Sequence, residues 1–521
     1  MPSENNKRIA KNTLFLYFRM LFSMGVSLYT SRVVLATLGV EDFGIYGVVG
    51  GVVAMFGFLN SSMSGATSRF LTFELGRGDY EKLKKTFSSA LTVHFIIAGI
   101  IFVLGETIGL WWLENKLVVS SDRMPAVRWV YQLSIIGSMI GITQVPYNAM
   151  IIAHERMSVY AYVEILNSSL KLGIVYLLVI GNFDKLILYT ILILCVTIII
   201  TTIYKIYCTR NFPESHYKYI WKKEIIYPML SFSGWDLYGN LSYVVKNQGI
   251  NILLNLFFGV LVNAAYGIAN QVQGTVSNFS NSFLTAVRPQ IVKYYAAGEI
   301  KKMQNLVINI SKFSFLLMFL FSLPLIIENH FILKLWLKKV PDYTVVFCQW
   351  ALMSSLLIAM GTSLTIAIHA TGKMRMFSFT SGTILLINPL ISYFFLEIGF
   401  SPLIVFVINF SLSITYIINN IIMLHRLISV FSIFQFIYKV IALCFLSAII
   451  SLILPLYFYY TMQEGWSRFT LVVATSFLSV LLTGYFIVLN KKMRNEMLKL
   501  ITNKLEFIYF FFNSLKKREE K

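Results

Sequence analysis

Long apolar runs separated by short polar segments dominate this chain from one end to the other. A helix that crosses a bilayer needs ~20 consecutive apolar residues, and the chain contains about fourteen such runs. We therefore predict an all-α polytopic membrane protein with about fourteen transmembrane helices. The predicted spans are residues 12–37, 44–73, 87–112, 125–153, 158–181, 185–207, 226–257, 260–287, 306–327, 344–370, 376–397, 402–424, 434–460 and 468–489.

The composition agrees with a membrane protein and suggests its orientation. Of 521 residues, 57% are hydrophobic and 13% charged, with a mean hydropathy of +0.70, whereas soluble domains are about a quarter charged. The net charge of +20 (44 basic minus 24 acidic residues) is concentrated in short segments between the runs. That distribution follows the positive-inside rule, which places both termini in the cytoplasm and argues against nucleic acid as a partner. The tail 491–521 mixes lysines with aromatic residues, as in segments that contact lipid headgroups.

An internal repeat is the most informative feature of the sequence. GVEDFGIYG (39–47) returns as GVLVNAAYG (259–267), GDYEK (78–82) as GEIKK (298–302), and AHERM (153–157) as ATGKM (370–374). The repeat predicts two six-helix lobes in the same orientation, related by a pseudo-twofold axis around a central cavity, with two extra C-terminal helices. The predicted boundaries are 1–211 and 212–428 for the lobes, 429–490 for the extra helices and 491–521 for the tail.

Basic residues interrupt several of the predicted spans. A charge inside a membrane is costly and usually faces a partner or a wet cavity. Acidic residues in the spans are fewer, so some cations are left to bind an anionic passenger. Two other interpretations stay open: arginines near helix ends snorkel to headgroups, and Lys246 forms a buried ion pair with Asp236 or Glu164. The candidate substrate-binding residues are Arg19, Arg32, Arg69, Lys246 and Arg288.

Polar residues recur at helical spacing on three predicted helices, in the second, seventh and eighth spans. Asparagine side chains suit sugar hydroxyl groups because they both donate and accept hydrogen bonds. Small faces also serve ordinary helix packing in membranes, an alternative that applies mainly to the second helix. The candidate polar lining residues of the cavity are Ser61, Ser64, Asp236, Asn240, Asn247, Asn270, Asn278 and Asn281.

Motifs of enzymes are not found in the sequence. There is no P-loop, G-x-S-x-G or HExxH pattern, the four cysteines have no metal or disulfide spacing, and no loop between spans exceeds about 20 residues. His154 and Glu155 lie in a short turn, where we expect them to be solvated. The sequence thus favours a transporter over an enzyme, with no catalytic residue, cofactor or metal site, and energy from an ion gradient, the substrate gradient or a partner.

Several of these motifs together resemble a known family. Arg32 ahead of LGVEDFGIYG (38–47), the Ser/Gly-rich second helix ending in Arg69, and the loop GRGDYEKLKK (76–85) resemble the polysaccharide-biosynthesis branch of the MOP (MATE-like) exporter superfamily. The resemblance implies a flippase that carries an undecaprenyl-pyrophosphate-linked oligosaccharide across the bacterial cytoplasmic (inner) membrane by alternating access. It also implies a cationic lumen, a role in O-antigen, lipopolysaccharide or capsule synthesis, and the polymerase of the same pathway as a partner.

Three other functions differ from a glycan flippase in the residues or loops that they require. A MATE-type multidrug or cation antiporter would use carboxylates in its N-terminal lobe, whereas the first helix here carries arginines. A membrane sugar polymerase or ligase would need a large periplasmic loop with catalytic bases. A lipid II flippase is a near relative that the sequence leaves open.

Overall fold

The computed structural model describes residues 2–55, 57–116, 119, 121–178, 184–337, 340–491 and 494–495. In this part of the chain helices account for nearly all of the structure, and short π-helical turns at Gly105–Gly109, Ile437–Ala442 and Gly484–Val488 adjoin α3, α14 and α16. The α-helices are α1 (Pro2–Met55), α2 (Gly57–Arg77), α3 (Tyr80–Leu104), α4 (Leu110–Lys116), α5 (Met124–Ala153), α6 (Met157–Leu177), α7 (Lys185–Asn211), α8 (Lys223–Ala296), α9 (Ile300–Ile327), α10 (Asn329–Leu337), α11 (Thr344–Thr371), α12 (Arg375–Glu397), α13 (Ile404–Leu427), α14 (Ile433–Phe436), α15 (Leu443–Thr461) and α16 (Trp466–Thr483).

Most of the predicted spans correspond to helices that could cross a membrane. Within the described ranges, nine helical segments are long and apolar enough for this by length and composition. The remaining long helices are α1, α2, α6 and α8, and they contain the candidate cavity residues of the first, second, seventh and eighth spans. The predicted polytopic all-α architecture is confirmed. The nine segments are Tyr80–Asn115, Ser121–Ala153, Lys185–Asn211, Ile300–Ile327, Thr344–Thr371, Arg375–Glu397, Ile404–Leu427, Ile433–Thr461 and Trp466–Val488.

Two glycines bend the longest helices and confirm the repeat. α1 is interrupted at Gly39 (φ 81°, ψ 171°) and α8 at Gly259 (φ 75°, ψ −168°). α8 therefore contains two consecutive spans, whereas α1 contains the first span and the beginning of the second. This backbone conformation is essentially restricted to glycine. A second pair at the same spacing, Gly78 (φ 75°) and Gly298 (φ 73°), ends the following helix in each half. The two halves therefore share backbone geometry at matched positions, as the sequence repeat requires.

Replacement of Gly259 by alanine is expected to lower the free energy of unfolding by about 1–3 kcal/mol because the bend needs a glycine-only conformation. No atom lies within 4 Å of the position that the new Cβ would take, so the cost comes from the backbone alone. Gly267→Ala is the matched control, since its site is equally open and has no positive φ. Thermal unfolding in detergent measures both variants, and equal unfolding temperatures would show that the bend does not depend on glycine.

Each half of the helical bundle has its own apolar core. In the first lobe (α1–α7), Phe87 and Met150 are completely buried in a cluster that also includes residues of α6 and α7. In the second lobe (α8–α13), Ile291 and Leu364 are completely buried in a cluster that joins α8, α9, α11 and α13. The sequence-predicted domain boundaries at 211 and 428 stay predictions.

The lobes meet near one end of the bundle, which we call the N-terminal face because α1 begins there and α2 and α8 end there. Asn240 Nδ2 donates to Ser62 Oγ across the lobes at 3.0 Å, and the rings of Phe70 and Phe232 are 6.1 Å apart. For the residues the structure describes, every hydrogen bond between the lobes lies in the half of the bundle nearer this face. The polar contacts between the lobes are therefore concentrated near this face.

The last two long helices form a hairpin that is fixed to α9. Glu328, just after α9, accepts hydrogen bonds from Arg468 Nε at 2.7 Å and Nη2 at 2.8 Å, and this guanidinium also stacks on Tyr459. Lys312 in α9 donates to the carbonyl oxygen of Val488 at 3.0 Å, at the end of the last π-turn. These contacts attach α15 and α16 to the second lobe. Apart from residues 491, 494 and 495, the tail 491–521 lies outside the described residues.

Candidate functional site

The second half of α8 carries an exposed polar stripe. Asn270, Gly274, Asn278, Asn281 and Arg288 are all exposed, and their spacing of four, four, three and seven residues places them on one side of the helix. In a membrane an exposed amide or guanidinium needs water or a polar ligand. Three members of the stripe are predicted cavity asparagines, and their role in lining a cavity stays a prediction.

The first half of α8 adds a carboxylate and two amides. Asp236, Asn240 and Asn247 are half-buried. Asn240 Nδ2 donates to Asp236 Oδ2 at 3.2 Å as well as to Ser62. Asp236 Oδ2 lies 3.5 Å from the position that a Cβ on Gly65 would take, so the small residue lets the carboxylate approach α2.

The predicted small face of α2 therefore has a packing role against α8, at Ser62 and Gly65. Ser64 on the same helix is half-buried. The side chain of Ser61 lies outside the described part of the structure. For α2, close helix approach through small residues accounts for the face, whereas the exposed amides of α8 are not explained by packing.

Lys246 occupies the middle of the first half of α8. Its side chain is half-buried, and it makes no ion pair or hydrogen bond with any residue whose placement the structure describes. The ion pair with Asp236 or Glu164, left open by the sequence, is not formed in this conformation.

Arg69 and Arg288 line a recess between the lobes near the N-terminal face. Nη2 of Arg69 donates to the carbonyl oxygen of Ala370 at 2.9 Å, and its guanidinium stacks on Phe70 and Phe73 at 4.5 and 4.6 Å. Arg288 belongs to the exposed stripe, and the carboxylate of Asp236 interacts with it electrostatically. Arg69 thus spans the interlobe contact rather than extending to headgroups. The recess is lined by Gly65, Ser68, Arg69, Thr72, Arg288, Val292, Ile366 and His369.

The remaining predicted cations belong to the first lobe. Arg19 Nη1 donates to Tyr160 Oη at 3.0 Å and stacks on the same ring. On the same lobe, Tyr204 Oη donates to Glu164 Oε1 at 3.1 Å. The sequence interpretation missed both tyrosines because neither lies in a polar run. Arg32 lies outside the residues whose side chains are described.

The expectation that His154 and Glu155 are solvated is wrong. Glu155 is only 5% exposed, and its Oε1 is 2.6 Å from Nζ of Lys293 in the other lobe. His154 stacks on Phe212, and its Nε2 is 2.7 Å from Oε1 of Glu214. Burial lowers the pKa of His154 below its ordinary value despite this carboxylate. The polar turn is buried because three distant segments pack over it.

An arrangement of two helical lobes that carry cations and amides within apolar helices is typical of a membrane transporter. Residues 9–295 match the family described as polysaccharide biosynthesis protein, and the chain belongs to that family. No curated protein sequence matches the chain.

Solved structures with a similar fold are MATE transporters. A MATE structure in the bent conformation has a TM-score of 0.70 and 13% identity, covering 81% of this chain and 96% of that one. The Vibrio cholerae MATE transporter VcmN in the bent form has a TM-score of 0.66 and 15% identity, covering 84% and 99%. An outward-facing multidrug resistance MATE transporter of the MOP superfamily has a TM-score of 0.64 and 13% identity, covering 84% and 96%. The predicted polysaccharide-biosynthesis family and the predicted MATE-like fold are confirmed.

Proposed function

We propose that this protein is a flippase that moves a lipid-linked oligosaccharide repeat unit across the cytoplasmic membrane for surface polysaccharide synthesis. The passenger is an oligosaccharide on undecaprenyl pyrophosphate. Membership in the polysaccharide biosynthesis family supports the glycan, and the MATE-like fold supports transport by alternating access. The polymerase of the same pathway would receive the product.

The observations that carry this proposal are an unpaired lysine and an exposed asparagine stripe on the same long helix. Lys246 has no partner among the described residues, and Arg288 is exposed on the second half of the same helix, α8. A pyrophosphate group binds such cations through charge-assisted hydrogen bonds. Asn270, Asn278 and Asn281 can donate to and accept from sugar hydroxyl groups. In this proposal the cations bind the pyrophosphate and the asparagines bind the sugars of the headgroup.

The structure also supports a direction of transport in the proposal. The hydrogen bonds between the lobes lie near the N-terminal face, and we propose that the lobes open toward the opposite face. We propose that the N-terminal face is cytoplasmic, because the basic segments flank it. This conformation then corresponds to the state from which the headgroup leaves, while the lipid chain stays in the bilayer.

Proteoliposomes containing a fluorescent undecaprenyl-pyrophosphate-linked oligosaccharide test the proposal. The Lys246→Ala variant is expected to translocate the glycan at least about tenfold more slowly, because a charge-assisted contact is worth about 1.5–3 kcal/mol. Accessibility of the glycan to a membrane-impermeant glycosidase gives the rate. Lys84→Ala, an exposed cation on a helix of the first lobe, is the matched control and should equal the parent.

Two outcomes would contradict the flippase. One is a Lys246→Ala variant that translocates as fast as the parent, since the free cation would then have no role. The other is a parent protein that leaves the glycan lipid in place but exchanges an organic cation for protons or sodium in the same liposomes. The second result would instead support the antiporter.

A further inference from the structure

The turn between α5 and α6 has an unusual backbone for its sequence. Glu155 adopts a positive φ of 59°, which side chains other than glycine rarely take. In the internal repeat, AHERM aligns with ATGKM, so Glu155 occupies the position of Gly372. Gly372 also has a positive φ, of 77°. The first lobe therefore has a glutamate where the same turn of the second lobe has glycine, and the side chain must compensate for the backbone.

The carboxylate of Glu155 is buried among donors from both lobes. Oε1 is 2.6 Å from Nζ of Lys293, and Oε2 accepts from Nε2 of Gln290 at 2.5 Å, both at the end of α8 in the second lobe. Nε of Arg8, at the start of α1 in the first lobe, is 2.8 Å from Oε2. Only 1% of the glutamate side chain is exposed. These contacts connect three segments that are far apart in sequence.

We propose that Glu155 is a latch that holds the two lobes together at the N-terminal face. A buried carboxylate with satisfied partners favours the closed arrangement, because removing one partner leaves an unpaired charge. When the lobes separate, Lys293 and Gln290 leave with α8, whereas Arg8 stays with Glu155 in the first lobe. Water then reaches the turn, so opening does not leave the carboxylate both buried and unpaired. This inference is independent of the substrate.

The matching turn of the second lobe makes the reciprocal contact. Arg69 of the first lobe donates to the carbonyl oxygen of Ala370, two residues before Gly372. A Cβ at Gly372 would lie 2.7 Å from Arg69 Nη2, so a side chain there would displace the arginine. The two turns thus hold the opposite lobe in different ways: the first with its side chain, the second with its backbone. This asymmetry agrees with a glutamate in the first turn and a glycine in the second.

Distances between spin labels on the two lobes test the latch. Labels at Lys84→Cys and Lys301→Cys, in a background without the native cysteines, place one exposed probe on each lobe at the N-terminal face. Double electron–electron resonance in nanodiscs should give a short distance for the parent. Glu155→Gln should raise the ratio of long to short distances at least about tenfold. Glu299→Gln, which removes an exposed ion pair within one lobe, should leave the ratio unchanged.

A second variant separates the latch from folding. Glu155→Gly suits the positive φ of the turn, so its backbone is relaxed and the loss of the carboxylate contacts is the main change. It is expected to remain folded, with a thermal transition at or above that of Glu155→Gln. It should nevertheless shift the distances as Glu155→Gln does, because it lacks the carboxylate. If both Glu155 variants give the parent's distance distribution, Glu155 does not hold the lobes together and the latch is refuted.

Discussion

Reversal of the charge at Arg288 is expected to reduce translocation of the pyrophosphate-linked glycan by about a hundredfold or more. Arg288 is exposed on the polar stripe of α8 and lines the recess that also contains Arg69. An Arg288→Glu substitution removes one cation and adds a carboxylate near Asp236. The passenger's phosphates would then meet like charge in a site of low dielectric, where repulsion costs several kcal/mol. The proteoliposome glycosidase assay measures the rate.

Arg288→Lys is the matched control for this prediction. It keeps the positive charge while losing the planar donor geometry of the guanidinium, so we expect a smaller loss than for charge reversal. Membrane insertion and thermal unfolding of both variants identify any loss that comes from folding. Equal rates for Arg288→Glu and Arg288→Lys would mean that the sign of the charge is irrelevant to the passenger.

The Glu328→Ala substitution is expected to have the largest effect on stability, about 3–5 kcal/mol. The variant leaves Arg468 without its bidentate partner, and this arginine is only 8% exposed between α9 and α16. A buried guanidinium without a carboxylate keeps the desolvation penalty and loses the attraction that offsets it. Thermal unfolding in detergent should show a markedly lower transition temperature for the second lobe and its hairpin.

The double variant Glu328→Leu with Arg468→Leu provides the control. Replacement of a buried ion pair by apolar residues is often neutral or stabilising, so the double variant should recover most of the loss. The contacts of Lys312 with Val488 and of α15 with α16 remain in both proteins. A Glu328→Ala variant as stable as the parent would indicate that the pair contributes nothing to docking of the hairpin.

The features that depend on one helix could be predicted from the sequence. Gly39 and Gly259 stand at matched repeat positions, and both bend their helices with the glycine-only backbone that a sharp turn requires. The asparagines of α8 recur at helical spacing and do share one exposed side. Periodicity and internal repetition are visible in the sequence itself. They can therefore be recognised without knowing which helices pack against each other.

The features that depend on two helices could not be predicted. Glu155 is buried by Lys293 and Gln290, residues more than 130 positions away, so its polar neighbours in sequence suggested a solvated turn. For Lys246 the sequence offered two acidic partners in other spans, and the structure shows that no acidic side chain among the described residues pairs with it here. Whether a charge in a membrane helix is paired depends on the residues that pack against it from other helices. The local sequence pattern carries no information about those residues.

The most direct test of the cationic cavity is binding of the complete lipid-linked headgroup to the purified protein, measured by native mass spectrometry. Undecaprenyl-pyrophosphate oligosaccharide should form a complex with the parent, and the same oligosaccharide without the lipid pyrophosphate should not. A Lys246→Ala/Arg288→Ala protein should retain little of the complex, whereas Lys84→Ala should retain it fully. Equal occupancy of the parent and the double variant would contradict the central claim that these two cations bind the pyrophosphate.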